Sequence, residues 1–184
     1  MDWIMEKILK EYQEYLERLA AENSEEIFTN AGIEHASVLM ATMFKNTQCR
    51  IRMYSTGLRP NLITTEPYFE EFKKFFNNMT DKDVSIMVEE LSAIDALPFT
   101  IVKSAMRKFP DKIKVRLIKP EDRAKINEEL GFEHCNFTIF DGQRFRLEYE
   151  PSEYKAIGSF NHNDWAERLI ALYDNAFNSG DDIN

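Results

Sequence analysis

At 184 residues, 43% of them hydrophobic and 30% charged, the chain has the size and composition of one folded domain, able to bury about 70% of its unfolded surface without a disulfide or metal staple, which excludes disorder. A net charge of -9 excludes indiscriminate nucleic-acid binding, which relies on Lys and Arg neutralising phosphates, and leaves open only a local basic site. No stretch approaches the ~20 apolar residues of a membrane-spanning helix, and the charged N-terminus lacks the apolar core of a secretory signal, so a cytoplasmic protein without a membrane partner is expected.

Residues 1–22 carry Met1, Met5, Ile8, Tyr12, Tyr15 and Leu19 at alternating spacings of four and three, the stripe of an amphipathic helix. Glu6 with Lys10 and Glu14 with Arg18 add favourable i, i+4 pairs. Such a stripe docks on its own domain or pairs two copies as a short coiled coil. Asn23 and Glu26 resemble a capping box, which predicts a second helix over 24–46 despite Gly32 near its start.

Strand and helix then alternate. "CRIRMYS" (49–55) sends Cys49, Ile51 and Met53 to one face and Arg50, Arg52 and Tyr54 to the other. Cys49 and Cys135 both fall in apolar alternating segments, where a free thiol behaves as a small buried hydrophobe. Gly57 and Pro60 mark a loop, followed by an aromatic helix over 66–78 with Pro67 in its first turn. "VSIMVEE" (84–90) is a strand, 98–109 a helix starting at Pro98, "KIKVRLIK" (112–119) a strand, and 120–131 a helix closed by Gly131. "HCNFTIFDGQRFRLEYE" (134–150) predicts a hairpin turning at Asp141-Gly142. "YKAIGSF" (154–160) is a last strand, and 163–177 a helix burying Trp165 or Ala166, Leu169, Leu172, Tyr173 and Ala176, with Asn161 resembling its N-cap.

The alternation predicts an α/β layer fold with a single domain over 23–178, an N-terminal amphipathic helix over 1–22 and a flexible tail over 179–184. A parallel sheet covered on both faces would show continuous apolar runs. These strands alternate apolar with polar residues instead. One sheet face is therefore expected to be wetter than the other, or several strands to be edges.

His134, Asn136 and Asp141 stand at the spacing of the phospholipase D superfamily motif HxKxxxxD, written HxNxxxxD here, and "GSFN" at 158–161 resembles that family's GSxN. The resemblance spans about residues 30–178. It implies a phospholipase D-like mixed sheet with flanking helices, a phosphate-containing ligand or nucleic acid as partner, and a homodimer, because the family joins two motif copies and this chain carries one. His134 would be the nucleophile, Asp141 its supporting carboxylate, and Ser159 and Asn161 ligand contacts. Residues i and i+2 of a strand share a face, so His134 and Asn136 would grip one phosphoryl group together.

The sequence also departs from that pattern. Asn136 replaces a lysine, removing a cation from where the transition state gathers negative charge, and GSFN begins seventeen residues after Asp141 with a further strand between. The implied protein is catalytically degenerate, with a binding or regulatory role in nucleic-acid metabolism or defence. Its rival is an active phosphodiesterase or nuclease using His134 at a homodimer seam. Asp141 is equally accounted for by the Asp-Gly turn.

Other candidates come from position. Arg146 and Glu148 share the polar face of one strand with Arg144, as a replacement binding site or a cross-strand ion pair. His35 would face the same cavity as Ser55, at the strand end where open α/β sheets bind ligands. Lys103, Arg107, Lys112, Lys114 and Arg116 form a basic run, either a lysine-protected edge strand or a phosphate-tracking patch. No CxxC, HExxH, P-loop or GxSxG pattern occurs, and His134, Cys135 and His162 are too sparse for a metal site, so neither metal nor cofactor is expected.

Overall fold

The N-terminal stripe becomes helix α1 (Trp3–Ala21) in the computed structural model of the protein, which describes residues 3–183; Met1, placed on the stripe above, lies outside them. Leu16 and Leu19 are buried in the core, with Leu9, Tyr12 and Tyr15 packed at its margin. This half of α1 docks on its own domain. Trp3, Met5 and Ile8, toward the other end, are exposed.

The second helix starts later than its capping signal suggests. A short strand β1 (Phe28–Asn30) comes first, and α2 (Ile33–Lys45) follows it. Gly32 between them takes a φ of 81°, left-handed backbone that a helix arriving from residue 24 cannot pass through. The proposed capping box is absent: the Glu26 carboxylate accepts from the Tyr15 hydroxyl at 2.6 Å instead.

The remaining elements are β2 (Arg50–Ser55), α3 (Pro60–Ile63), α4 (Tyr68–Asn77), β3 (Asp83–Val88), α5 (Leu97–Lys108), β4 (Ile113–Leu117), α6 (Pro120–Leu130), β5 (Asn136–Phe140), β6 (Arg144–Glu150), β7 (Lys155–Ser159), α7 (Asn163–Ser179) and β8 (Asp181–Asp182). Gly131 closes α6 in the left-handed region, and Asp141 and Gly142 turn the β5–β6 hairpin with φ of 52° and 79°. The N-cap of α7 is His162 rather than Asn161, its Nδ1 accepting from the Trp165 N–H. The segment 179–184, expected as a tail, contains β8, which pairs antiparallel to β4, and the Ile183 N–H donates to the Val115 carbonyl at 2.9 Å.

The strands form one mixed sheet in the order β1-β7-β6-β5-β2-β3-β4-β8. Among the described residues only β2, β3 and β4 run parallel; the other pairings are antiparallel. One face packs on α1 to α5 around Phe44, Phe72 and Phe76, and the other on α6 and α7 around Phe137, Phe145 and Tyr173. Both faces are covered. All of β5 and residues Arg144 to Glu148 of β6 are buried. The expected wet face is therefore absent there: the polar positions of these two strands point into the protein, where other protein groups satisfy them.

Gly158 shows how tightly β7 is held. A Cβ at this position would lie 2.8 Å from the Phe145 carbonyl oxygen and 2.8 Å from the Phe28 ring. Gly158→Ala is expected to destabilise the fold by about 1–3 kcal/mol, read as a lower urea midpoint with an unchanged slope.

Candidate functional site

Antiparallel pairing of β5 and β6 sets Asn136 opposite Glu148 and Thr138 opposite Arg146. Strand alternation aims all four toward α2–α4, and the neighbouring β2 contributes Met53 and Ser55 to the same side. They gather where β2 ends, the edge at which open α/β sheets leave a crevice.

The polar groups bond mainly to one another. Glu148 is 1% exposed; its Oε2 accepts from Asn136 Nδ2 at 2.6 Å and its Oε1 from Arg146 Nη2 at 3.1 Å. Asn136 Oδ1 in turn accepts from the Thr56 N–H at 2.8 Å and the Thr56 hydroxyl at 3.1 Å. Arg146, also buried, donates through Nε to Asn30 Oδ1 at 3.4 Å and through Nη2 to the Tyr154 carbonyl at 3.2 Å. The amide that replaces the lysine of the HxK pattern thus serves as both donor and acceptor in a closed network. Neither Thr56 nor Asn30 carried any signal in the sequence.

Arg59 closes the outer side. Its Nη2 donates to the Pro151 carbonyl at 2.7 Å, its Nη1 lies 3.6 Å from Glu148 Oε2, and its guanidinium lies over the Tyr154 ring at 4.7 Å. Leu58, Arg59 and Tyr154 all have left-handed backbone, with φ of 60°, 39° and 55°. Side-chain-bearing residues held there store strain, so both sides of this contact are held against their local preference. Behind Arg59 lies a cavity of about 30 Å³, room for about two waters, with Met53, Leu62, Ile63 and Tyr68 on its apolar wall and Asn136 and Arg146 on its polar one.

The structure separates the residues of the HxNxxxxD pattern. His134 precedes β5 in a bend shaped by Asn127, whose Nδ2 donates to the Glu133 carbonyl at 2.9 Å. Because the strand begins only at Asn136, the i, i+2 geometry does not extend back to residue 134. The imidazole is 67% exposed, with its neighbour Glu133 4.0 Å away, and does not line the cavity. Asp141 lies at the far end of β5. Its carboxylate accepts from the N–H groups of Gln48, Cys49 and Arg50 at 2.8 to 3.0 Å and from Arg144 Nη1 at 2.9 Å, pinning the hairpin turn to the start of β2. Burial pushes this carboxyl up, but the N–H groups of Arg50, Gln48 and Cys49 and the Cys49 thiol outweigh it and hold it below the ordinary carboxylate value.

The other candidates scatter. Ser159 is buried on β7, beyond β6 from the cavity, and its hydroxyl donates to the Ser24 carbonyl; Asn161 follows it, its N–H donating to Ser159 Oγ. Ser55 lines the cavity, whereas His35 packs edge-on against Tyr12 of α1, 4.7 Å between ring centres. Cys49 is exposed rather than buried, because it precedes β2 at the Asp141 contact. Cys135 is buried, and burial together with Glu89 and Glu148 pushes its thiol up to about 12, which leaves it neutral and unreactive.

The basic run is divided by the sheet. Lys103 and Arg107 belong to α5, on the face where Ile113 and Val115 are buried, while Lys114 and Arg116 project to the other. Arg116 pairs with Asp182 at 2.7 Å and covers the Phe177 ring, and β8 removes β4 from the sheet edge. Lys112 and Lys114 line a surface groove of about 360 Å³ at the N-terminal ends of β2, β3 and β4, whereas the cavity lies where β2 ends; Asp83 there lies 3.5 Å from Lys112 and 3.7 Å from Arg50.

No protein-family model matches the sequence, and no curated protein does. Solved structures do match the fold. Nuc from Salmonella typhimurium, a phospholipase D family member, aligns over 86% of this chain and 99% of its own with a TM-score of 0.58 and 15% identity. The fold is phospholipase D-like. NucT from Helicobacter pylori aligns over 86% of this chain and 100% of its own at a TM-score of 0.54 and 10% identity. TrmBL2, an archaeal chromatin protein with a novel mode of DNA binding, aligns over 97% of this chain at a TM-score of 0.61 and 12% identity, and this chain spans 63% of its length. Among the described residues no group of acidic, His and Cys side chains is arranged to hold a metal, and no helix is long and apolar enough to cross a membrane.

Proposed function

We propose that the protein is a catalytically silent member of the phospholipase D-like fold, with a binding or regulatory role in nucleic-acid metabolism. One observation carries this reading: Asn136 is locked into a buried network with Glu148, while the imidazole two residues before it faces solvent. A phosphoryl-transfer site needs nucleophile and cation on one surface, with donors aimed at the developing charge. A carboxylate here faces the position where the family pattern has lysine. The nucleic-acid context is drawn from TrmBL2, whose likeness takes in nearly the whole chain.

The rival phosphodiesterase reading is tested directly. Purified protein incubated with bis(p-nitrophenyl) phosphate and with single-stranded DNA is expected to give no turnover above a buffer control, and Asn136→Lys is expected to create none. Turnover abolished by His134→Ala but retained in Ser92→Ala would overturn the proposal.

A further inference from the structure

The groove at the N-terminal ends of β2, β3 and β4 is built on a row of side chains in register. Arg52 on β2 stands beside Ser85 on β3, and Ser85 beside Lys114 on β4. All three line the groove, because strand alternation sends them to the α7 face while Ile51, Val84 and Ile113 are buried on the other. Helix α7 covers the next row, Tyr54 and Met87, and leaves this one open to the groove. Neighbouring strands lie about 4.8 Å apart, so the row spans roughly 10 Å, with a hydroxyl at its centre and a cation at each end.

The protein does not use up these donors. Lys114 has no ion pair or hydrogen bond among the described residues. Arg52 gives Nε and Nη2 to Asp174 at 2.8 and 3.2 Å, which leaves Nη1 without a hydrogen-bond partner among the same residues. The Ser85 hydroxyl stands beside that of Tyr173 without hydrogen-bond geometry, and the Tyr173 hydroxyl is buried with no partner. Lys112, at the mouth of the same groove, reaches Asp83 at 3.5 Å, longer than a hydrogen bond. Arg50, Arg52, Lys112 and Lys114 against Asp83, Asp111 and Asp174 leave the groove positive on a chain whose net charge is -9.

We infer that this groove binds a terminal phosphate monoester, as carried by a mononucleotide or by the 5′ end of a nucleic-acid strand, with the phosphate over Ser85 between Arg52 and Lys114. The nucleotide as carrier rests on the nucleic-acid context of the proposed function; the phosphate itself rests on the row. A phosphate monoester has three strong acceptor oxygens and close to two negative charges, which answers donors arriving from three strands. A diester keeps two free oxygens, and a carboxylate has two in one plane. Once Ser85 donates to the phosphate, its own oxygen can accept from Tyr173, so the ligand completes the hydrogen bonding of the buried hydroxyl as well. A volume of about 360 Å³ is that of a small-ligand site and admits a molecule of nucleotide size. The groove lies at the opposite end of β2 from the Asn136–Glu148 network and shares no residue with it.

Isothermal titration of the full chain in phosphate-free buffer tests this with thymidine 5′-monophosphate, thymidine, and a short oligothymidylate with and without a 5′-phosphate. The phosphorylated probes are expected to bind saturably at one site per chain, and their unphosphorylated counterparts to give no saturable heat; the tighter of the two phosphorylated probes identifies the carrier. Lys114→Gln is expected to weaken phosphate-dependent binding about ten-fold and Ser85→Ala about three- to ten-fold. Lys103→Gln, which removes the same charge from α5 on the other face of the sheet, is expected to leave it unchanged. Thermal melts confirm that each variant is folded. The inference is overturned if neither phosphorylated probe binds folded wild-type protein, if an unphosphorylated probe binds as tightly as its counterpart, if Lys114→Gln and Ser85→Ala both keep full affinity, or if Lys103→Gln loses as much as Lys114→Gln. Turnover in the phosphodiesterase assay removes the proposed function and leaves this site standing, whereas missing phosphate binding without turnover removes only the site.

Discussion

Glu148→Gln is expected to destabilise the protein by about 3–5 kcal/mol, because it leaves the buried guanidinium of Arg146, with the partly exposed one of Arg59 beside it, without a counter-charge. At this chain length the melting temperature should fall by about 6–20 °C. The side chain keeps its shape and its oxygen can still accept from Asn136, so the loss isolates charge from packing. Arg146→Met combined with Glu148→Met should be far milder than the sum of its single changes, since a buried ion pair replaced by apolar groups of similar volume costs little. Thermal unfolding of the four proteins gives the coupling. Additive losses would mean that Arg146 and Glu148 act separately, and the closed network described above would have to be abandoned.

Asp141→Asn is expected to cost about 2–4 kcal/mol at pH 7, because several charge-assisted hydrogen bonds converge on that carboxylate. Asparagine tolerates the left-handed turn, so backbone preference is preserved. The difference from wild type should depend on pH in a defined direction. The carboxyl of folded Asp141 is held below its ordinary value, so its stabilising contribution is complete above about 3.9, the unfolded value, and is lost as pH falls through the lower folded value. Urea unfolding of both proteins should therefore give a constant gap at neutral pH that narrows below about pH 4. A gap independent of pH would show that the turn depends on the shape of the residue and not on its charge.

The same residue illustrates what a spacing pattern conveys and what it omits. The Asp141-Gly142 turn was legible because its backbone requirement is local, and the hairpin followed from it. That the carboxylate reaches back to residues 48–50 was not legible, since nothing near 141 refers to a segment more than ninety positions earlier. His134 misled for a related reason: the i, i+2 rule holds only inside a strand, and the bend at Glu133 is set by Asn127 on the preceding helix. Arg146 and Glu148 were visible as a pair on a polar strand face. Their burial was not, because alternation says which side chains share a face and is silent on what covers it.

What the sequence determined by itself was the set of local preferences: helix and strand periodicity, the glycine and Asp-Gly stops, and hence an α/β chain whose pattern resembles the phospholipase D superfamily. The tertiary structure alone decided that β6 lies between β5 and β7, that α1 to α4 cover the polar face of β5 and β6, and that Arg59 arrives from a loop to meet Glu148. Periodicity is a property of neighbours along the chain. The charge balance of a buried pocket is a sum over residues that only folding brings within a few ångströms of each other.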